Sequence, residues 1–187
     1  MEHIKREIVQ VTEAELKETM PSITFIDLYV RHVRRRDVVR ALVDAGIKVH
    51  VFGGKWNEME CAHPENLINE DARDSQGCLE AISEAKISLN VMPWFKEGAH
   101  DRIYNSMLNG AVSLTDSNSY LDGILKDGEN CRVYPATELS RLPGIVEEIL
   151  KNPDQAQKIA DAGFRMANAG QTWADRCSVL HDYMERL

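Results

Sequence analysis

The chain has 187 residues, 43% of them hydrophobic and 28% charged, with a net charge of −8. That length carries one ordinary domain with appended helices and leaves too little for two complete ones. The acidic balance argues against a general nucleic-acid binder, because neutralising phosphates takes a basic surface. Four cysteines, Cys61, Cys78, Cys131 and Cys177, stand far apart with neither CxxC nor Cys/His ligand spacing. Reduced thiols in a cytoplasmic protein without a metal site are therefore expected. The opening MEHIKREIVQVTEAELKE holds no long apolar run, so neither a signal peptide nor a membrane span is expected.

Residues 1–22 are charged with sparse apolar positions and end at Pro21, which reads as a helical linker ahead of a domain over residues 23–187. From residue 23 to 45 the apolar positions recur mostly at helical intervals, and Gly46 stops the run. Part of Ile23–Ile26 could instead be a strand. IKVHVF, residues 47–52, alternates as a strand and ends at Gly53 and Gly54. A polar loop and a short apolar piece at Leu67 and Ile68 lead to a helix over about 76–85.

The central stretch, residues 86–116, reads as strand, loop, helix, strand. Ile87, Leu89, Val91 and Met92 form one β-prone run and Val112–Thr115 a second. Ile103, Tyr104, Met107 and Leu108 place a helix over 101–109 between them, stopped by Gly110. Such a βαβ unit opens a crevice beyond the carboxyl ends of its strands. Trp94, Lys96, Glu97, Gly98 and His100 stand on one side of it, and Asp116, Ser117 and Asn118 on the other. Further on, a helix over 119–126, a strand over 131–134, a helix over 142–150, another after Asn152 and Pro153, and a last one over 172–187 are expected. The alternation implies an α/β fold, a Rossmann-like parallel sheet of about five strands with helices on both faces.

The run EGAHDRIYNSMLNGAVSLTDSNSYLDGILKDGENCRVYP, followed by LPGIVEEILKNPDQAQKIADAG, resembles the carboxyl-terminal, donor-binding half of GT-B glycosyltransferases of the group 1 kind. Within them it is most similar to the spore-maturation-protein-like branch. VRRRDVVRALVDAGIKVHVFGGKW upstream and QTWADRCSVLHDYMERL downstream extend the resemblance over residues 23–187. It implies a domain that binds a nucleotide-diphosphate sugar for metal-free transfer to an unknown acceptor, with no cofactor. It also implies an acceptor-binding domain or partner chain, without which the domain is inactive or nearly so. In relatives a Glu, seven residues and a second Glu mark the donor site. Glu97 takes the first place here and Asn105 the second, where relatives use the carboxylate for the ribose hydroxyls; an amide can both donate and accept.

Sugar transfer needs fixed donors around a diphosphate whose charge grows as the bond breaks. The resemblance assigns Arg102 to a phosphate, Glu97 and Gly98 to the sugar, and Ser117, Asn118 and Ser119 to the ligand at the start of the following helix, while no catalytic residue is identified. Beside these readings stand plainer ones: a solvated helix charge, an ordinary turn, an ordinary cap. Trp94 could stack on a base, and His100 could serve as a base or phosphate partner. Arg31, His32, Arg34, Arg35, Arg36 and Arg40 share no single helix face and read mainly as a solvated or internally paired surface. No Walker loop, GxGxxG or nucleophile triad is present. The rival reading is a non-catalytic interaction module that kept the fold and lost the ligand; a flavodoxin-like regulator is weaker, because glycines and a lysine follow the first clear strand.

Overall fold

The computed structural model describes residues 12–92 and 97–186. It opens on a long helix, α1 (Glu13–Val43). Thr12 caps it reciprocally: its hydroxyl accepts the Glu15 amide at 3.2 Å, and the Glu15 carboxylate accepts the Thr12 amide at 2.8 Å. The helix runs through Pro21 and through Ile23–Ile26, the stretch left open between helix and strand. It stops where Gly46 takes a φ of 84°. Packing concentrates in its last turns, where Val38, Val39, Leu42 and Val43 are buried.

Two parallel strands follow, β1 (Val49–Phe52) and β2 (Leu67–Glu70). Leu67 and Ile68, read only as an apolar piece, thus belong to a paired strand; four residues are too few for periodicity to declare it. Next come α2 (Ser75–Glu84), β3 (Ile87–Leu89), α3 (Asp101–Leu108), β4 (Val112–Thr115) and β5 (Arg132–Val133). The chain closes with α4 (Leu142–Lys151), α5 (Pro153–Asn168) and α6 (Trp173–Met184). β4 lies between β3 and β5, all parallel, so the described residues form five strands in two separate sheets, β1-β2 and β3-β4-β5, where one sheet of about five was expected.

Helices cover both faces. Val38 and Leu42 of α1 and Leu142 and Val146 of α4 pack with Leu114 of β4 on one side. On the other, Ser106 of α3 meets Ser88 of β3, their hydroxyl oxygens 2.7 Å apart, and small residues there let α3 come close. All four residues of β4 are buried, as a strand covered on both faces must be. Two local expectations are corrected. The helix expected over 119–126 is a single 3-10 turn, Leu121–Gly123, because Asn118 Oδ1 takes the Leu121 amide and Asn130 Oδ1 takes the Lys126 amide, closing turns rather than a helix. Asn152 does not cap α5 with its side chain, which instead donates to the Glu148 carbonyl at the end of α4 at 2.8 Å.

Candidate functional site

β3, β4 and β5 end side by side, and polar residues gather just past them. Asn90, fully buried after β3, is the hub. Its side-chain NH2 donates to Thr115 Oγ1 at 3.0 Å, its side-chain oxygen accepts from Arg102 Nη1 at 2.9 Å, and its carbonyl accepts the Tyr134 hydroxyl at 3.1 Å. One residue therefore ties all three strand ends to the first turn of α3. Burial and the charge of Asp116 push the Tyr134 hydroxyl pKa up, which keeps it a neutral donor.

Arg102 is held from two directions: Asn90 positions its guanidinium, and His100 Nδ1 accepts its backbone amide at 3.1 Å as the cap of α3. Burial first, then the Arg35 charge, lower the Arg102 pKa. Burial and the positive charge of Arg102 lower that of His100, with Arg35 adding to the effect. Asp101 Oδ1, 2.6 Å from the same Nδ1, works against both effects. Arg35 thus reaches this corner from α1, and Arg34 beside it donates to the Ala136 carbonyl past β5 at 2.6 Å. Several cationic groups crowding one half-buried corner repel one another, and an anion placed among them relieves that repulsion.

On the β4 side, Asp116 Oδ1 accepts the Met92 amide at 2.8 Å. Burial raises its pKa despite that bond and the Arg34 charge. Asn118 donates to the Gly98 carbonyl at 2.9 Å, joining the two loops that flank the crevice.

The residues singled out in the sequence thus fall into groups. Arg102, His100, Gly98, Asp116 and Asn118 belong to one connected corner. Glu97 is exposed beside Gly98, and Asn105 is half-buried one turn along α3 from Arg102. Ser117 is turned aside, its hydroxyl donating to Asp122 at 2.6 Å, and Ser119 is exposed at the edge. Because the segment after Ser119 is a turn, no helix N-terminus faces the crevice from these serines. Trp94 and Lys96 lie outside the described residues. Of the basic run, Arg31 pairs with Asp27 at 2.9 Å and Arg40 with Asp37 at 3.3 Å, as a paired surface requires. Arg34 and Arg35 instead lie beside the crevice, as do Asn90 and Tyr134, none of them singled out for it from the sequence. The only signal for the arginines is that they stand about one turn before the buried Val38–Val39 pair. Among the described residues, no group of three or more His, Cys, Asp or Glu could hold a metal ion, and no helix is long and apolar enough to cross a membrane.

Comparison with known proteins agrees with this architecture. The model of a family described as glycosyl transferase-like matches residues 31–182. No curated protein sequence matches the chain. Among solved structures, Anabaena Alr3699/HepE, crystallised in complex with UDP-glucose, superposes with a TM-score of 0.65 at 11% identity, over 81% of this chain and 44% of that one. TarM gives 0.59 at 13% identity, over 83% of this chain and 32% of its own. The carboxyl-terminal domain of LpcC, a glycosyl transferase group 1 family protein from Francisella tularensis, gives 0.50 at 16% identity, over 58% and 55%. The chain therefore spans only a third to about half of these proteins, and at such identities the likeness is one of fold. With the family match running over most of its length, the chain belongs to the glycosyl transferase-like family and carries a Rossmann-like GT-B fold.

Proposed function

We propose that the corner beyond β3 and β4 receives the diphosphate of a nucleotide sugar, and that the chain is the donor-binding part of a glycosyltransferase. The observation that carries this reading is the Arg102 guanidinium, set by the buried Asn90 and sharing its surroundings with Arg35 and His100. Donors fixed before the ligand arrives cost little to organise and act where negative charge grows as the glycosidic bond to phosphate breaks. In this reading Glu97 and Gly98 hold the sugar, and Asn105 meets the ribose hydroxyls with an amide. Asn118 and Ser119 border the ligand, while Ser117, its hydroxyl engaged by Asp122, offers its backbone amide. The UDP-glucose bound by the HepE neighbour supports a uridine nucleotide as the first donor to try. No metal or cofactor is assigned a part. A cytoplasmic setting belongs to the same proposal, supported by four cysteines that are all free thiols.

A non-catalytic interaction module predicts a crevice plugged by apolar side chains. The polar, cationic corner favours a ligand over that reading. Calorimetric titration with UDP-, GDP- and dTDP-sugars is the test. Arg102→Ala is expected to weaken binding by about 10- to 100-fold, the range of one lost charge-assisted hydrogen bond, while the exposed Arg165→Ala changes nothing. Absence of heat from all three nucleotides would remove the proposal.

A further inference from the structure

One ring nitrogen beside the crevice meets two groups with opposite demands. His100 Nδ1 lies 3.1 Å from the Arg102 amide nitrogen, which donates, and 2.6 Å from Asp101 Oδ1, which accepts. With a lone pair on Nδ1 the ring caps α3 and leaves the exposed carboxylate to solvent. With a proton there it bonds Asp101 and releases the amide. The two arrangements differ by one proton, so the charges around the ring decide between them.

The charged groups that face the ring are Asp101 and Arg102 of α3 and Arg35 of α1. From α2, the thiol of Cys78 acts on Arg102. Burial and the two arginines outweigh Asp101, and the pKa of His100 lies below the usual 6.5. Near neutral pH the ring is therefore uncharged in the free chain, with Nδ1 turned to the Arg102 amide. The nearer of the two cations is fixed in position, since Asn90 Oδ1 holds the Arg102 guanidinium at 2.9 Å.

A bound nucleotide sugar reverses this balance. Its diphosphate, placed at Arg102 and Arg35, offsets the two cations that keep the ring neutral, while Asp101 keeps its pull. What remains favours the imidazolium. We propose that His100 is a proton-linked partner of the diphosphate: it takes up a proton from solvent as the donor binds, gives its Nδ1–H to Asp101, and adds a third positive charge beside Arg102 and Arg35. The Arg102 amide, released from the ring, then joins the unpaired N–H groups of the first turn of α3, where an anion is favoured. This role rests on the donor-binding reading and adds to it a pH dependence with a fixed sign. Donor affinity falls as the pH rises from the pKa of the free ring to that of the ring in the complex, and is level on either side.

Calorimetric titration with UDP-glucose in buffers of different ionisation enthalpy counts the protons taken up, because the diesterified phosphates of this ligand do not titrate between pH 6 and 8. Uptake of about half a proton per site at pH 7 is expected, with affinity about 3- to 10-fold lower at pH 8 than at pH 6. His100→Asn keeps a side-chain oxygen to cap α3 and loses the titrating ring. It is expected to bind without proton uptake, at one affinity across the range, close to that of the parent at pH 8. Binding by the parent without uptake would overturn the role. Uptake that persists in His100→Asn would do the same and move the proton elsewhere, Asp116 being another buried acid of the crevice. Ring nitrogen chemical shifts read the site directly: the His100 signals, identified by their absence from His100→Asn, are expected to pass from the neutral to the imidazolium pattern when UDP-glucose is added at pH 7. A ring that stays neutral in the complex counts against the proposal. Failure of the donor-binding reading looks different, with no heat from either chain at any pH, and it would remove both.

Discussion

Asp116 is a carboxylate in an unfavourable place. It is almost fully buried, it accepts one backbone amide, and its pKa is raised above the usual 3.8 by burial. The folded state therefore holds its proton to higher pH than the unfolded chain does, so this group adds stability as the pH falls from its folded pKa toward 3.8 and withdraws it as the pH rises again. Asp116→Asn keeps an oxygen for the Met92 amide and removes the charge. At pH 7 the variant is expected to melt above the parent, with the gap closing in acid; scanning calorimetry across pH 3 to 7 checks it, and a gap independent of pH would contradict the assignment. Such a group was legible only as a crevice residue. Asp116 and Arg102 could be placed because each follows an element whose end the sequence marks. Asn90 could not, because a lone asparagine after a strand looks like any loop residue until the distances to Thr115, Arg102 and Tyr134 are known. The same holds for Arg34 and Arg35, whose helix face has meaning only once the helix lies on the sheet.

At the level of elements, the strongest helices and the buried strands could be read directly: α3, β4 and α4 fall within a residue of where spacing and stops put them. What sequence could not give were the elements decided by distant partners. β2 exists because β1 supplies its hydrogen bonds, and the turn Leu121–Gly123 exists because asparagine side chains outcompete the helix for backbone amides. Close packing between elements is equally invisible in the letters. Gly163 sits in α5 where an added Cβ would lie 2.7 Å from the Asn130 carbonyl oxygen and 3.1 Å from Met107 Cγ of α3. Alanine would gain up to about 1 kcal/mol of helix propensity there, but the clash is with backbone that has little room to yield, and overpacking of this kind costs about 1–3 kcal/mol. Gly163→Ala is accordingly expected to lower the melting temperature by several degrees. Gly144→Ala in α4, where a Cβ meets nothing within 4 Å, is expected to leave it unchanged or raise it slightly. Equal effects at the two glycines would show that the α3–α5 approach is looser than described.

At the scale of the molecule, an acidic protein of net charge −8 concentrates Arg34, Arg35 and Arg102 where its strands end. Under the proposed function, a diphosphate there meets one wall, the loops after β3 and β4, tied together by the bond from Asn118 to Gly98. Transfer needs more than this wall. The acceptor has to be held in line with the breaking bond, and water kept from taking its place, and both require surface on the far side of the sugar. The chain matches only 44% of the HepE structure and 32% of TarM, so its likeness leaves more than half of each of those molecules uncompared. The 187 residues alone are therefore expected to bind a nucleotide sugar without cleaving it. Mixing the chain with UDP-glucose at saturating concentration and following UDP release over hours would show it, with the intact sugar nucleotide recovered at the end. Addition of an acceptor-binding domain in trans is the condition under which release should begin. Rapid release by this chain alone would mean that the crevice already contains both walls, and Glu97, exposed on the loop beside Gly98, would be the first residue to test for closing it.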